Sequence, residues 1–302
     1  MTEEKVRLQH YVPRVYLKNF SYFNGKEYYI WVFDKEREEI FQTNTKNIAF
    51  EEEFYNTLLE YQDIEKTLQK IETKFDPVIQ KLISVKNLDE LTLEEKDVLA
   101  EFIGYQMIRT KETRNTLEDT SKQFFEKYGK ELSEKLKGEV LESMKKDSLR
   151  KMHNNIIQKV NEFKLRIKDL KWILLINETK FPFWTSDNPV AEYNEVNLFP
   201  YGNLGLECFG FEMHFPINSK IALIICDKRR FSILPSKEII KDYRRIVRER
   251  DFQVRYSTRF IFSNENNFDF AQMMVKENPS IKDPDLSGHV SSIPARGVSL
   301  FY

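Results

Sequence analysis

The chain has little of what would announce a chemistry by itself. Two cysteines, Cys208 and Cys226, occur in 302 residues. They are too few for a disulfide scaffold and lack the spacing of a metal site. Reduced thiols are therefore expected. Glycine is scarce as well, at 9 residues, which argues against a glycine-loop nucleotide fold. There is no Gly-rich phosphate loop, no zinc-type Cys/His cluster and no serine-hydrolase elbow. No run of about 18 apolar residues exists, so no membrane span and no membrane partner are expected. The opening Met-Thr-Glu-Glu-Lys-Val-Arg has no apolar signal-peptide core, and the expected location is cytoplasmic. Lys plus Arg number 47 and Asp plus Glu 48, a net charge of -1. A bulk field for nucleic acid is thus missing, and any such contact would need a local basic patch.

What is present is an ordinary globular balance, 41% hydrophobic and 31% charged, with 14% aromatic residues to fill a core. The pattern along the chain changes twice. Tyr28 to Asp34 and Glu39 to Thr43 read as a hairpin around the charged turn Lys35-Glu36-Arg37, after a turn at Asn24-Gly25. Pro13 reads as the start of a short helix. From Tyr61 to Leu82, Ile64, Leu68, Ile71, Phe75 and Ile79 form one helical stripe, and Pro77 predicts a kink or an end. Thr92 and Glu95 form a capping-box pattern before a helix expected to reach about Lys127. A third helical segment is predicted from Lys130 to Phe163.

Strand patterns then return at Lys171 to Asn177, Phe181 to Thr185, Phe211 to Ile217, Ile221 to Cys226 and Tyr256 to Ser263. Ser236 is placed to cap a charged helix to about Arg250. This order predicts an α+β fold with an N-terminal hairpin and a C-terminal antiparallel or mixed sheet flanking three long helices. Length alone suggests about two domains. The interleaving of strands and helices favours one composite domain over 1–302, with parts at 1–60, 61–163, 164–263 and 264–302, the last a short helix and irregular tail.

Two strings stand out. One is Gln9-His10-Tyr11-Val12-Pro13-Arg14-Val15-Tyr16-Leu17-Lys18-Asn19-Phe20. The other is Phe183-Trp184-Thr185-Ser186-Asp187-Asn188-Pro189-Val190. Together they resemble the signatures of a microbial family known as domain-of-unknown-function family 4238, over roughly residues 9–263. Phe54-Tyr55, Glu65, Glu72, Gln106, Arg109 and Phe215-Pro216-Ile217 are similar to weaker parts of its pattern, although Asn-Ser follows where Ser-Pro is expected. The resemblance implies a shared fold and site, with no established activity attached.

Each candidate residue has two readings. His10 precedes a helix start, where the dipole disfavours a charged imidazole. A neutral His10 can be a general base or metal ligand, or a hydrogen-bonded packing residue. Asp187 can close an Asx-type turn, or hold a metal, orient His10 or activate water. Gln106 and Arg109 share a helix face. Arg109 can clamp an anion, or pair with Glu72 or Glu65. His214 reads as core, while His153 and His289 read as surface and tail. The run Arg244-Arg245, Arg248, Arg250 and Arg255 is interleaved with acids and reads as a solvated helix face more than a nucleic-acid patch.

On this basis His10, Asp187 and Glu72 are the candidate catalytic residues. Arg14, Gln106, Arg109 and Asn188 are the candidate substrate contacts. The metal requirement is unknown, with a divalent ion as one option. Two functions from different classes follow. One is a hydrolase or nuclease acting on a phosphorylated or nucleic-acid substrate. The other is a non-catalytic ligand- or protein-binding module in a stress or phage-response locus. The sequence fixes neither the substrate nor the partners, and the deciding observation is whether the two strings meet.

Overall fold

The computed structural model describes residues 8–52, 61–111, 113, 160–196 and 204–283. In chain order these form β1 (Leu8–His10), α1 (Arg14–Leu17), β2 (Tyr22–Phe23), β3 (Tyr28–Asp34), β4 (Glu39–Asn44) and β5 (Phe50–Glu52). Next come α2 (Tyr61–Val85), α3 (Leu93–Ile108) and α4 (Val160–Asp169). The rest are β6 (Lys171–Asn177), β7 (Thr185–Ser186), β8 (Ala191–Asn194), β9 (Phe211–Asn218), β10 (Ile221–Cys226), α5 (Lys228–Phe231), β11 (Lys237–Ile240), α6 (Tyr243–Tyr256), β12 (Phe260–Ser263) and α7 (Asp269–Glu277). The fold is α+β.

Local chemistry accounts for much of this order. Asn24 accepts the N–H groups of Lys26 and Glu27, and Gly25 takes φ +90°, so the turn into β3 closes without steric cost. Thr92 and Glu95 form the reciprocal capping box of α3. Leu68, Ile71, Phe75, Ile79 and Leu82 bury one side of α2. The helix runs through Pro77 to Val85 instead of ending before it. Proline there costs about 3 kcal/mol. Burial of the residues on either side, including Phe75 stacked 3.5 Å from Phe102, offsets that loss.

Three sheets result. β1 and β5 form a small antiparallel pair. A second sheet has the order β11-β6-β10-β9-β8, antiparallel except for the parallel β11–β6 edge. The third has the order β2-β3-β12-β7 with β4 on β3, so it joins the N-terminal hairpin to strands from the other half of the chain. The main apolar core lies between these two larger sheets and takes in α1, α2, α3 and α4. Gly104 lets α4 approach α3, since a Cβ there would meet the Val160 side chain at 3.2 Å. The outer face of the second sheet packs on Ile246 of α6, and that of the third on Phe268, Ala271 and Val275 around α7.

Several expectations are corrected. The helix of Leu93 stops at Ile108, where the Arg109 N–H caps onto Tyr105, and from 114 on the span expected to reach Lys127 lies outside the described residues. The segment 130–159 lies outside the described residues, as do His153 and His289. The helix expected after Ser236 is first a strand, β11, because the Ser236 carbonyl accepts Leu174 N–H and the segment completes the β6 edge. The helix begins later, with the Asp242 carboxylate accepting Arg244 N–H. It runs to Tyr256, so the last strand starts only at Phe260. Of the expected Phe181–Thr185 strand only Thr185 pairs, together with Ser186 beyond it.

Lys35, read as part of a solvated turn, is fully buried. Its Nζ donates to the carbonyls of Val254 (3.1 Å), Ser257 (2.5 Å) and Ile281 (2.8 Å). The ammonium thus satisfies orphan acceptors at the C-terminal end of α6, where a cation is also favoured by the helix dipole. Lys35→Met keeps the length of the side chain and removes the donors. It should lower the unfolding free energy by about 3 kcal/mol, read as a lower urea midpoint. An unchanged midpoint would show that the ammonium is not a tie.

Candidate functional site

The two sequence strings meet at Tyr16. Its phenol donates to the Pro216 carbonyl at 2.7 Å and lies 2.8 Å from Thr185 Oγ1. Its ring stacks on Phe215 at 5.2 Å. The residue is fully buried, and burial drives its phenol far above the ordinary range while the Thr185 bond pulls it down. The N-terminal string, the Thr-Ser-Asp-Asn-Pro string and the Phe-Pro-Ile segment therefore share one packing point. The sequence singled out Tyr16 only as one member of the first string, which was the signal for it.

His10 lies at the end of β1 opposite Phe50, their rings 5.5 Å apart. Ala49 adopts φ +58°, a left-handed conformation costing about 1–2 kcal/mol for a residue with a Cβ. Its carbonyl accepts Tyr11 N–H at 3.0 Å, which fixes the chain just after His10. The backbone is gripped from α3 as well. Arg109 donates through Nη2 to the His10 carbonyl at 2.5 Å, and Gln106 Nε2 to the Tyr11 carbonyl at 3.2 Å. Arg109 also pairs with Glu72 Oε1 at 3.0 Å. Glu72 is thus the acidic partner, while the Glu65 side chain lies outside the described residues.

The imidazole of His10 is shifted down to about 4, first by burial and then by the charges of Arg14 and Arg109. A hydrogen bond to the Lys46 backbone opposes this. Because that bond favours the protonated ring, the ring donates and the carbonyl accepts. His10 Nε2 is buried with no partner, so the donor is Nδ1. At neutral pH the ring is uncharged, with the Nε2 lone pair left over. Arg14 is exposed and makes no ion pair among the described residues.

Asp187 is fully enclosed. Oδ1 accepts Thr258 N–H at 2.8 Å, and Oδ2 accepts Arg259 and Phe260 N–H at 2.8 and 2.9 Å. Burial pushes its carboxyl up, while these donors and the Lys35 charge pull it back. Asn188 is buried, its N–H and carbonyl both at the Ser186 hydroxyl (3.3 and 2.9 Å). No direct bond joins His10 to Asp187 among the described residues. Tyr11 stands between the two strings electrically, its phenol raised first by burial and then by Asp187 and Glu51. Among the described residues no group of three or more His, Cys, Asp or Glu side chains could hold a metal ion.

With this geometry in hand, the comparison with known families is informative. Residues 8–269 match the family described as protein of unknown function DUF4238. The chain belongs to this family. No curated protein and no solved structure matches it. No helix among the described residues of this DUF4238 protein is long and apolar enough to cross a membrane.

Two polar features fall outside the strings. His214 is fully buried on β9, as its alternation predicts, but it is not a lone core histidine. Glu249 of α6 lies 3.0 Å from Nδ1 and Glu212 3.6 Å from Nε2. Burial alone would raise the Glu249 carboxyl, but His214 and Arg245 outweigh it and hold it at about 2. The basic run of α6 is therefore not a solvated face throughout. Ile246, Glu249, Arg250 and Gln253 are all buried at i, i+3, i+4, i+7. Arg244, Arg245 and Arg255 each pair with a carboxylate, which leaves little free charge for nucleic acid there. A cleft of about 590 Å³ lies apart from the strings, lined by Arg166, Asp169, Asp227, Lys228 and Arg229 among others. Its charges are already paired, Arg166 with Glu207 and Lys228 with Asp169.

The His10 shift makes a stability prediction. An unfolded imidazole titrates near its ordinary 6.5 and the folded one near about 4. Between those values the unfolded state binds more protons. Stability therefore falls as pH drops from about 6.5 towards 4, by on the order of 1–3 kcal/mol. His10→Gln should remove this component, so the wild-type and variant urea midpoints should converge or cross at acid pH. Parallel pH profiles would contradict the assigned environment.

Proposed function

We propose that the protein is a hydrolase of a phosphorylated substrate, nucleic acid included, with His10 as its general base. The observation that carries this reading is the neutral imidazole whose Nε2 lone pair lacks a partner, next to an exposed Arg14 that has no ion pair among the described residues. In the proposed step the substrate brings a water against Nε2, which is enclosed in the unliganded protein, and Nε2 takes a proton from it as the water oxygen bonds to phosphorus. The P–O bond to the leaving group breaks, and that oxygen takes a proton from solvent, while the His10 imidazolium releases its own proton to solvent to complete the cycle. Arg14 contacts the anion, and the charge of Arg109 acts on the same imidazole. Gln106, Arg109 and Glu72 position His10 through its backbone. Asp187 and Asn188 act through the backbone, ordering the second string, which Tyr16 ties to the first. A divalent ion bound with the substrate is compatible with this scheme, and the free thiols of Cys208 and Cys226 fit a cytoplasmic setting.

A base held at about 4 is weak on its own. A bound phosphate anion beside it would stabilise the imidazolium and raise it towards neutrality. The reading therefore predicts different pH limbs for the free enzyme and the complex. Activity should be assayed on an activated phosphodiester and on single- and double-stranded nucleic acids, with and without Mg²⁺ or Mn²⁺. kcat/KM should rise with pH through about 4 and kcat through a higher value. His10→Gln should lower kcat/KM by about 10²–10⁴-fold with an unchanged fold. Turnover that survives His10→Gln in a folded variant would sink the proposal.

The second reading, a non-catalytic ligand- or protein-binding module such as one acting in stress or phage response, draws support from a different observation. Asp187, Gln106, Arg109 and Glu72 are all engaged in holding the backbone or one another. Under that reading Nε2 accepts a hydrogen bond from a ligand, and binding without turnover is the outcome that selects it.

A further inference from the structure

Arg250 follows Glu249 on α6 and is only 6% exposed. Its Nε donates to the Pro182 carbonyl at 2.9 Å. The guanidinium carbon lies 4.1 Å from the ring centre of Trp184 and 5.8 Å from that of Phe181. Other buried or half-buried arginines have carboxylates: Arg245 pairs with Glu249 at 2.6 Å, Arg109 with Glu72 at 3.0 Å and Arg259 with Asp34 at 2.6 Å. Arg250 has none in ion-pair range among the described residues, and the acidic charge that acts on it is that of exposed Glu265. Burial lowers the guanidinium to about 10, which measures how little opposes its desolvation.

The two terminal amino groups of Arg250 have no hydrogen-bond partner among the described residues, yet they are not among the sealed polar atoms. The indole Nε1 of Trp184, whose ring the guanidinium covers, is sealed and has no acceptor among the described residues, so it reports on this spot without contacting a ligand. The guanidinium is thus held over the Trp184 ring by its Nε bond to Pro182, with its two terminal amino groups left open. Because solvent reaches these amino groups, a ligand can reach them too. A guanidinium fork matches two oxygens of one group, and low-dielectric walls strengthen that match. A cation is excluded by charge, and a neutral ligand would leave the positive charge uncompensated.

We propose that Arg250, stacked on the Trp184 ring, binds an oxyanion, the carboxylate or phosphate group of a small ligand. The site is separate from the His10 niche and does not depend on the hydrolase reading. The test uses the full chain labelled with ¹⁵N, with the Trp184 indole resonance assigned through Trp184→Phe. Inorganic phosphate and acetate are titrated through millimolar concentrations, with ionic strength held constant by chloride. The expected result is a saturable shift of the Trp184 indole N–H with phosphate, acetate or both, and the responding anion identifies the group. Arg250→Met should weaken the response at least about tenfold, as expected when the charged member of a fork contact is lost. If neither anion moves the indole, or chloride moves it equally, the site does not exist, whatever the variant does. A folded Arg250→Met protein that responds like the wild type would overturn the assignment as well.

Discussion

The carboxylate of Asp187 fastens the two β portions of the chain to each other. It accepts three successive backbone N–H groups, from Thr258 to Phe260, at the entry to β12. That strand pairs on one side with β3 from the N-terminal hairpin and on the other with β7, the strand ending one residue before Asp187. A slip of one residue would turn Ile261 and Phe262 to the wrong faces of a sheet buried on both sides. The register is secured by neighbours as well. Asp34 receives Nε and Nη2 of Arg259, and Lys35 N–H donates to the Arg259 carbonyl. Removing the Asp187 carboxylate would strand three donors, each at about 1–3 kcal/mol if buried.

The same logic separates backbone from side chain around His10. Arg109, Gln106 and Ala49 hold the main chain of His10 and Tyr11, while the imidazole Nε2 is left without a partner. A rigidly held residue with an uncommitted lone pair is how a preorganised base or acceptor is built, since rotation and solvation are restricted before any ligand arrives. The structural and functional readings of Arg109 and Gln106 therefore do not compete. A side chain that grips the His10 carbonyl positions the imidazole by doing so.

Much of the fold was legible because local and global preferences agree there. The stripe of α2, the capping box of Thr92, the Asn24–Gly25 turn and the apolar run of β6 each point to one outcome. Legibility failed where burial overrode polarity. Lys35 looks like a turn residue until three carbonyls from distant segments converge on it. The inner face of α6 carries Glu249, Arg250 and Gln253, so no apolar stripe marks it as buried. Ser236 is a sound helix cap in isolation, but the open edge of β6 offers its segment a ladder instead. For the site, the strings named the right neighbourhood. They could not show that Asp187 faces backbone donors or that Tyr16, not His10, makes the contact between them.

The inner face of α6 sets two buried charges side by side with opposite outcomes. Glu249 is met by His214 and Arg245, a trio in which each charge offsets the desolvation of the next. Arg250, one residue on, points 100° further round the helix and meets aromatic faces and one carbonyl. Cation–π contact contributes about 0.5–2 kcal/mol, less than the several kcal/mol that desolvating an ion costs. Packing alone therefore does not explain a guanidinium at that position, since an apolar side chain of similar volume would fill the space between Trp184 and Phe181 without the charge. What a guanidinium adds is a fixed fork of donors: Nε is taken by the Pro182 carbonyl, and the two terminal amino groups stay open to an acceptor from outside the chain.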